Sequence, residues 1–193
     1  ETLSMMLLGI DHFKRITDTL GHHVGDELLM EMAKRLCATV SAQDTVARSS
    51  GKEFVLVLPG TASADAAQLA TELLKNLAQP CQMGDHELTV TVSIGIASYP
   101  DNGHDFDSLF KAVEIAMHRA KANGRNTFEV YSDDMYQEAA DRNHMTQALR
   151  NAAALNQLQL VYPPLVDLQT GPISGLEALL RWPHPVVRSV SRA

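Results

Sequence analysis

Apolar residues recur every three or four positions in three segments of the chain, which is the spacing of an amphipathic helix. The three segments are Leu28 to Val40, Ala66 to Leu77 and Leu109 to about Asn123. Asp26, just before the first segment, is expected in the first helical turn, where the helix dipole favours acidic side chains. Asp105 or Asp107 is the candidate N-cap of the third helix, and Gly124 is expected to close it.

Alternating apolar and polar residues predict β-strands between these helices. The clearest case runs from Leu88 to Ile96, where the pattern is typical of a strand that is buried on one face only. Val46 and the apolar run Phe54 to Leu58 predict a hairpin, because turn-forming residues lie between them. Strands are also expected at Met5 to Ile10 and Phe128 to Tyr131. Since strands interleave with helices, the predicted class is α/β (α+β), with one sheet covered by helices.

The pattern changes after residue 131. Asp133 to Leu155 form one long helical pattern that is polar on most faces, which predicts a connector helix within a linker of residues 132–156. Leu158 to Tyr162 and Ile173 to Trp182 then predict a hairpin that opens a second domain at residues 157–193. A segment of that length cannot bury a core alone. Either the second domain continues beyond this sequence, or the segment packs on something else.

Composition argues against several classes of function. The 193 residues are 45% hydrophobic and 20% charged, with a formal net charge of −7. No apolar run approaches the roughly 20 residues of a membrane span, and the absence of a basic block argues against nucleic-acid polymers as partners. Cys37 and Cys81 are too few for a disulfide framework, so a cytoplasmic location is expected. The chain is expected to begin inside a longer protein, and whether a membrane anchor precedes Glu1 there stays open.

Four short stretches, taken in order, resemble the GGDEF (diguanylate cyclase) domains. They are Ile10-Asp11-His12-Phe13-Lys14-Arg15-Ile16-Thr17-Asp18, Gly21-His22-His23-Val24-Gly25-Asp26, Ser50-Gly51-Lys52-Glu53-Phe54 and Ala120-Lys121-Ala122-Asn123-Gly124-Arg125-Asn126. Their joint order and spacing make the resemblance specific. It implies a GGDEF-like domain at residues 1–131, lacking its usual N-terminal segment. The implied fold is nucleotidyl-cyclase (palm-like), with a five-stranded central sheet, surrounding helices and a hairpin that holds the nucleotide.

The resemblance also implies a reaction that this sequence does not support. Diguanylate cyclases join two GTP molecules by attack of a 3′-hydroxyl on an α-phosphate, and divalent metal neutralises the phosphate charge. The family places metal-binding carboxylates at the positions of Gly9 and Lys52, and neither residue has one. We therefore expect no cyclase activity, no metal and no catalytic residue in the degenerate signature Ser50, Gly51, Lys52, Glu53 and Phe54. Lys52 is either a cation that pairs with phosphate or a solvated residue of the hairpin tip, and Glu53 is either a structural acceptor or a catalytic remnant.

The family's nucleotide-binding positions are partly retained. The resemblance assigns guanine contacts to Asp26, whose carboxylate accepts from guanine N–H groups, and to Thr17, which replaces an amide and weakens the expected selectivity. It assigns phosphate contacts to Lys121 and Arg125, which are four residues apart and so are expected on one helical face. The alternative for this pair is a basic last turn that only complements the helix dipole. The full set of expected nucleotide contacts is Phe13, Lys14, Thr17, Asp26, Lys52, Lys121 and Arg125.

A second resemblance begins after the connector. Leu160 to Asp167 and Glu177 to Trp182 resemble the first two strands of an EAL (cyclic-di-GMP phosphodiesterase) barrel. There Glu177 would be a metal ligand and Arg181 a contact to substrate phosphate, while Pro163 replaces a substrate-binding glutamine. A (β/α)-type barrel takes about 250 residues. Mg²⁺ or Mn²⁺ and cyclic-di-GMP are therefore expected only where the EAL domain is complete.

Three functions stand as hypotheses, all within bacterial cyclic-di-GMP signalling. The first is a catalytically inactive GGDEF domain that binds GTP or a related guanine nucleotide and regulates an adjoining EAL domain. The second is cyclic-di-GMP phosphodiesterase activity in the intact parent protein. The third is a module for homodimerisation or signal transmission that binds no nucleotide.

Overall fold

The structure, a computed structural model, describes residues 2–167 and 171–183. The chain divides into two compact units, Glu1–Gln137 and Glu138–Ala193. Within the described ranges, none of the helices has the length and apolar character that crossing a bilayer requires. The division between the units falls inside the predicted connector helix.

The first unit alternates strands and helices around one sheet. Its elements in chain order are β1 (Leu3–Ile10), α1 (Phe13–Leu20), α2 (His22–Thr39), β2 (Thr45–Ser50), β3 (Glu53–Pro59), α3 (Ser63–Leu77), β4 (Cys81–Met83), β5 (His86–Leu88), β6 (Val92–Tyr99), α4 (Phe106–Ala122) and β7 (Phe128–Val130). Five strands form the central sheet in the order β2-β3-β1-β6-β7. All neighbours are antiparallel except β6 and β7, which are parallel. The predicted α/β class, five-stranded sheet and β2–β3 hairpin are confirmed.

The central strand β1 is buried on both faces. Met6 and Leu8 belong to the larger core, which includes apolar side chains of α2 and α3, whereas Met5 and Leu7 pack with those of α4. This division follows from the strand geometry, because successive side chains point to opposite faces. The end of β1 is thereby fixed between two packed layers, and this is the end that carries the candidate site.

The predicted strand from Leu88 to Ile96 is in fact two strands. β5 ends at Leu88 and pairs with β4, and β6 begins at Val92. The expectation of one solvated face is wrong, since β6 is buried from Val92 to Ser98. A Cβ atom at Gly95 would lie only 2.0 Å from the carbonyl oxygen of Val113 in α4. Gly95, one of the small residues that alternate with the apolar ones, therefore makes room for a helix backbone instead of facing water.

The starts of the helices agree only in part with the sequence pattern. α2 begins at His22, with Gly21 at its N-cap, so Asp26 lies in the second turn and the expectation of a first-turn acid is wrong. At α4 the predicted capping by Asp105 is confirmed. The Asp105 carboxylate accepts a hydrogen bond at 2.8 Å from the backbone N–H of Ser108, in a reciprocal capping box.

A helix is confirmed in the predicted linker, as α5 (Asp133–Ala154), and four short strands follow it. They are β8 (Gln159–Val161), β9 (Pro164–Val166), β10 (Ile173–Leu176) and β11 (Leu179–Arg181). β8 pairs with β11 and β9 pairs with β10, both antiparallel, which confirms the hairpin. The parallel pairing that a (β/α)-type barrel implies is not found within residues 157–167 and 171–183. Residues 168–170 of the predicted turn and the final stretch 184–193 lie outside the described residues.

Candidate functional site

The candidate site lies at the end of β1, where the sheet meets the turn of the β2–β3 hairpin. The strand register pairs Gly9 with Glu53 on one side and with Ser93 on the other. One residue further on, the Ile10 backbone N–H donates to the carbonyl oxygen of Lys52 at 3.2 Å. Gly9, Lys52 and Glu53, which the sequence singles out, are therefore neighbours in the fold.

Hydrogen bonds within the β2–β3 hairpin stabilise its turn. The Arg48 guanidinium donates two hydrogen bonds to the carbonyl oxygen of Gly51, from Nε at 2.9 Å and from Nη2 at 2.7 Å. Gly51 has a φ of 46°, in the left-handed region that glycine adopts without strain. The turn that presents Lys52 is therefore stabilised by local contacts.

The space beside Gly9 is filled by the Lys121 side chain. A Cβ atom at Gly9 would lie 2.8 Å from Lys121 Nζ, 3.1 Å from Lys121 Cε and 3.1 Å from Met117 Sδ. Gly9 lies within β1 and its backbone is not in the left-handed region, so what glycine provides here is space and not backbone freedom. The missing side chain admits the ammonium group to the end of the strand.

Charges around Lys121 are of both signs. Its Nζ lies 3.6 Å from Glu53 Oε1, and the two side chains are only 19% and 25% exposed. Burial lowers the pKa of Lys121 below its ordinary value, the negative charge of Glu53 opposes this, and the positive charge of Lys52 adds to it. Asp11 also raises the pKa of Lys121, by a smaller amount. The site is thus a partly buried cluster with two ammonium groups.

Asp11, just after β1, connects the start of β6 to the loop after α4 at the base of the site. The residue is 4% exposed, and its carboxylate accepts hydrogen bonds from Thr91 Oγ1 at 2.7 Å, Ser93 Oγ at 2.8 Å and the Asn126 backbone N–H at 3.2 Å. These contacts give Asp11 a structural, bracing role. Thr91 and Ser93 were not predicted as site residues, although hydroxyl residues at the start of a strand are natural donors to a buried carboxylate.

Lys121 and Arg125 do not share a helical face. α4 ends at Ala122, Gly124 follows with a φ of 113°, and Arg125 itself has a φ of 65°. Arg125 is exposed in the loop after the helix, and its backbone N–H donates to the carbonyl oxygen of Ala120 at 3.1 Å. The prediction of a common face is wrong because the chain leaves the helix between the two residues. Gly124 is confirmed as the residue that closes the helix.

The two positions assigned to guanine lie where α1 crosses α2. A Cβ atom at Gly25 would lie 2.6 Å from the Thr17 methyl carbon and 3.2 Å from Phe13 Cζ, so the helices touch through this glycine. Asp26, the next residue, is exposed. The Thr17 hydroxyl donates to the Lys14 carbonyl oxygen at 2.9 Å within its own helix. Of these two side chains, the Asp26 carboxylate is therefore the one that is exposed and able to accept hydrogen bonds from a ligand.

The residues at the end of β1 do not fit a divalent metal ion. Hard cations require several oxygen ligands, and the two family positions are a glycine and a lysine. The described residues include no cluster of three or more histidine, cysteine or acidic side chains that could hold a metal. In addition, the Lys121 ammonium fills the volume where a residue-9 side chain would begin. The donors present suit an anion, because ammonium groups donate hydrogen bonds and cannot ligate while protonated.

The sheet order β2-β3-β1-β6-β7 places the hairpin turn beside the end of β1, the first strand of the chain. The chain belongs to the GGDEF family, since the family model described as "Diguanylate cyclase, GGDEF domain" matches residues 1–127. This confirms the resemblance drawn from the four sequence stretches and places the chain in a family of cyclic-di-GMP signalling domains.

Curated relatives and a solved structure agree with this assignment. The bifunctional diguanylate cyclase/cyclic di-GMP phosphodiesterase MucR of Pseudomonas aeruginosa is 43% identical over 182 residues, which are 94% of this chain and 27% of that protein. The cyclic di-GMP phosphodiesterase NbdA of the same organism is 37% identical, over 95% of this chain and 23% of that protein. The X-ray structure of an EAL/GGDEF domain protein from M. capsulatus has a TM-score of 0.65 at 38% identity, covering 68% of this chain and 86% of that one. The chain therefore spans about a quarter of the length of these two curated relatives.

Proposed function

We propose that residues 1–131 are a degenerate GGDEF domain that lacks cyclase activity, binds GTP or a related guanine nucleotide, and regulates an adjoining EAL domain. The observation that carries the proposal is the Lys121 ammonium beside Gly9, at the strand end where the family places a metal-binding carboxylate. We further propose that residues 132–156 are a linker and that residues 157–193 are a fragment of the EAL domain.

The proposed loss of activity follows from the chemistry of the cyclase reaction. Attack of a 3′-hydroxyl on an α-phosphate builds negative charge on the phosphate oxygens, and divalent metal normally neutralises it. Gly9 and Lys52 provide no carboxylate to hold such a metal. Glu53, the acid retained in the signature, is paired with Lys121 at 3.6 Å. We therefore assign Glu53 a structural role, as the acceptor that holds the Lys121 ammonium.

Nucleotide binding is proposed to use two separate parts of the domain. Asp26 is the proposed guanine contact, because an exposed carboxylate accepts from both N–H groups of the base. Thr17 is the weaker partner, since its hydroxyl already donates within α1. Lys52, Lys121 and Arg125 are the proposed phosphate contacts, at the end of β1 and in the loop after α4. Phe13 and Lys14, at the start of α1, complete the proposed set.

The second unit is proposed to be the opening of an EAL domain. The backbone N–H of Glu177 donates to the Pro163 carbonyl oxygen at 3.1 Å, so two positions of the EAL resemblance are neighbours. Arg181 ends β11. The matches to MucR and NbdA cover 94% and 95% of this chain, and both names include phosphodiesterase. Cyclic-di-GMP hydrolysis, with Mg²⁺ or Mn²⁺ at Glu177 and phosphate at Arg181, is the second candidate function and belongs to a complete EAL domain in the parent.

The proposed setting is the bacterial cytoplasm. Cys37 and Cys81 are both free thiols, as expected in a reducing compartment. Exposed apolar side chains in the second unit offer surface for a homodimer; they include Leu160, Tyr162, Leu165, Ile173 and Leu176. Light scattering on the chain would measure this association directly.

A cyclase assay tests the proposed loss of activity. The chain is incubated with GTP and either Mg²⁺ or Mn²⁺, and the products are separated by chromatography. We expect no cyclic-di-GMP above a control without protein. Lys52→Asp is expected to be equally inactive, because position 9 still lacks its carboxylate. Cyclic-di-GMP formed by the unaltered chain would overturn the proposal.

A further inference from the structure

Gly9 and Lys121 form a contact that depends on the absence of a side chain. The ideal Cβ position of residue 9 is 2.8 Å from Lys121 Nζ, a separation at which one of the two groups must move. Any side chain at position 9 therefore competes with the ammonium group for the same space. The glycine does more than remove a carboxylate, because it also admits a positive charge to the end of β1.

The charge of the site supports the same interpretation. Two carboxylates at positions 9 and 52 together with a divalent ion would have a net charge of zero. Gly9 and Lys52 instead have a net charge of +1 without any ion. Lys121 adds a second ammonium, which Glu53 partly balances at 3.6 Å. Lys52 is close enough for its charge to disfavour the protonated form of Lys121. Two like charges held together in this way favour an anion that contacts both.

The ammonium group of Lys121 also has donors to offer a ligand. Its separation of 3.6 Å from Glu53 is longer than a hydrogen bond, so the contact with Glu53 is an ion pair that leaves room for a shorter partner. A protonated lysine has three donors and acts as a point charge toward phosphate. The Lys121 side chain is partly buried, and Met117, on the same helix, also packs beside Gly9.

We propose that Lys121, seated in the space that Gly9 leaves, replaces the divalent metal as the counter-charge for a polyphosphate group, so that this site binds polyphosphate without metal. Gly9 is the residue that determines this property, and Lys52 is its second cation. The inference rests on the proposed nucleotide binding and adds to it the ligand class at the end of β1 and the reason why metal is not needed.

Calorimetry on the full chain tests this inference. Inorganic tripolyphosphate and GTP are titrated separately, each in EDTA and in Mg²⁺. We expect both to bind in EDTA with affinities no more than about threefold weaker than in Mg²⁺, because no metal-dependent contact with the protein is lost. Mn²⁺ added to the chain without nucleotide is expected to keep the electron paramagnetic resonance spectrum of the free ion.

Three variants assign the effect to its residues. Gly9→Ala moves the ammonium without changing the charge of the chain, and Lys121→Met removes it. Both are expected to weaken tripolyphosphate binding in EDTA by about tenfold or more, the range for loss of a charge-assisted hydrogen bond. Lys111→Met is the matched control on the same helix, since Lys111 lies over the Tyr136 ring, and it is expected to bind as the unaltered chain. Circular dichroism checks that each variant is folded, and Lys121→Met carries the test should Gly9→Ala not fold.

The outcomes separate this inference from the proposed function. GTP that binds only with Mg²⁺ would overturn the inference and leave the proposed nucleotide binding standing. Tripolyphosphate that binds in EDTA while GTP binds in neither buffer would support the inference and overturn the proposed function. If neither GTP nor tripolyphosphate binds in either buffer, the inference and the proposed function are both overturned. Tripolyphosphate binding that is unchanged in both Gly9→Ala and Lys121→Met would overturn the assignment to this site.

Discussion

We expect removal of the Asp11 side chain to destabilise the part of the fold that surrounds the candidate site. Asp11 lies just after β1, and its buried carboxylate contacts Thr91 in the loop before β6, Ser93 in β6 and Asn126 in the loop after α4. Asp11→Ala removes all three contacts at once. It leaves the Ser93 hydroxyl, which is fully buried, without this acceptor.

The expected loss of stability follows from these contacts. A hydrogen bond to a charged group contributes about 1.5–3 kcal/mol, and the bond at 3.2 Å is expected to contribute less. Because the three bonds share one carboxylate and are not additive, we expect Asp11→Ala to lower the free energy of unfolding by roughly 3–5 kcal/mol. Domains are stable by only about 5–15 kcal/mol, so a large part of the total is at stake. Asp11→Asn keeps one carbonyl acceptor and is expected to lose about half as much.

Urea unfolding followed by circular dichroism measures this difference. The matched control is Asp18→Ala, an exposed aspartate in α1, which is expected to change the free energy of unfolding by less than about 0.5 kcal/mol. If Asp11→Ala unfolds within about 1 kcal/mol of the unaltered chain, the three contacts do not brace the site, and the reasoning from hydrogen-bond partners is refuted.

Three further predictions concern packing, charge and metal. Gly95→Ala places a Cβ atom 2.0 Å from a carbonyl oxygen of α4 and should lower the thermal midpoint by several degrees. Gly175→Ala, whose Cβ would meet only a side chain at 3.7 Å, is its control, and equal midpoints would contradict the packing argument. Burial lowers the pKa of Lys121, so its neutral amine should appear at lower pH than that of an ordinary lysine. Competitive acetylation measured across pH by mass spectrometry tests this. A titration midpoint of Lys121 at the ordinary lysine value would contradict it. The double variant Gly9→Asp/Lys52→Asp should bind Mn²⁺ by electron paramagnetic resonance while neither single variant does, and binding by either single variant would show that one carboxylate suffices.

The parts of the fold that depend on local sequence were predictable. The β2–β3 hairpin follows from an apolar run beside turn residues, and α4 follows from its apolar spacing and the Asp105 cap. The burial of β6 was not predictable in the same way. Its small residues have the same alternation as a solvated face, and only the packed position of α4 shows that Gly95 contacts a helix backbone.

The candidate site was predictable in its residues but not in its contacts. Gly9, Lys52 and Lys121 were recognised from motifs that are far apart in the sequence, yet their motifs do not show that the Lys121 ammonium fills the space beside Gly9. The loop position of Arg125 was also missed. Its φ of 65° is uncommon for a residue with a side chain, and periodic patterns carry no signal for such a turn.

The central claim is that this GGDEF domain binds guanine nucleotide and does not convert it. The most direct test is a GTP titration of the full chain in Mg²⁺ by calorimetry, with chromatography of the same sample after the last injection. The account predicts a saturable heat of binding, reduced in an Asp26→Ala variant, together with intact GTP and no cyclic-di-GMP. Cyclic-di-GMP in the sample, or no heat of binding at all, would contradict it.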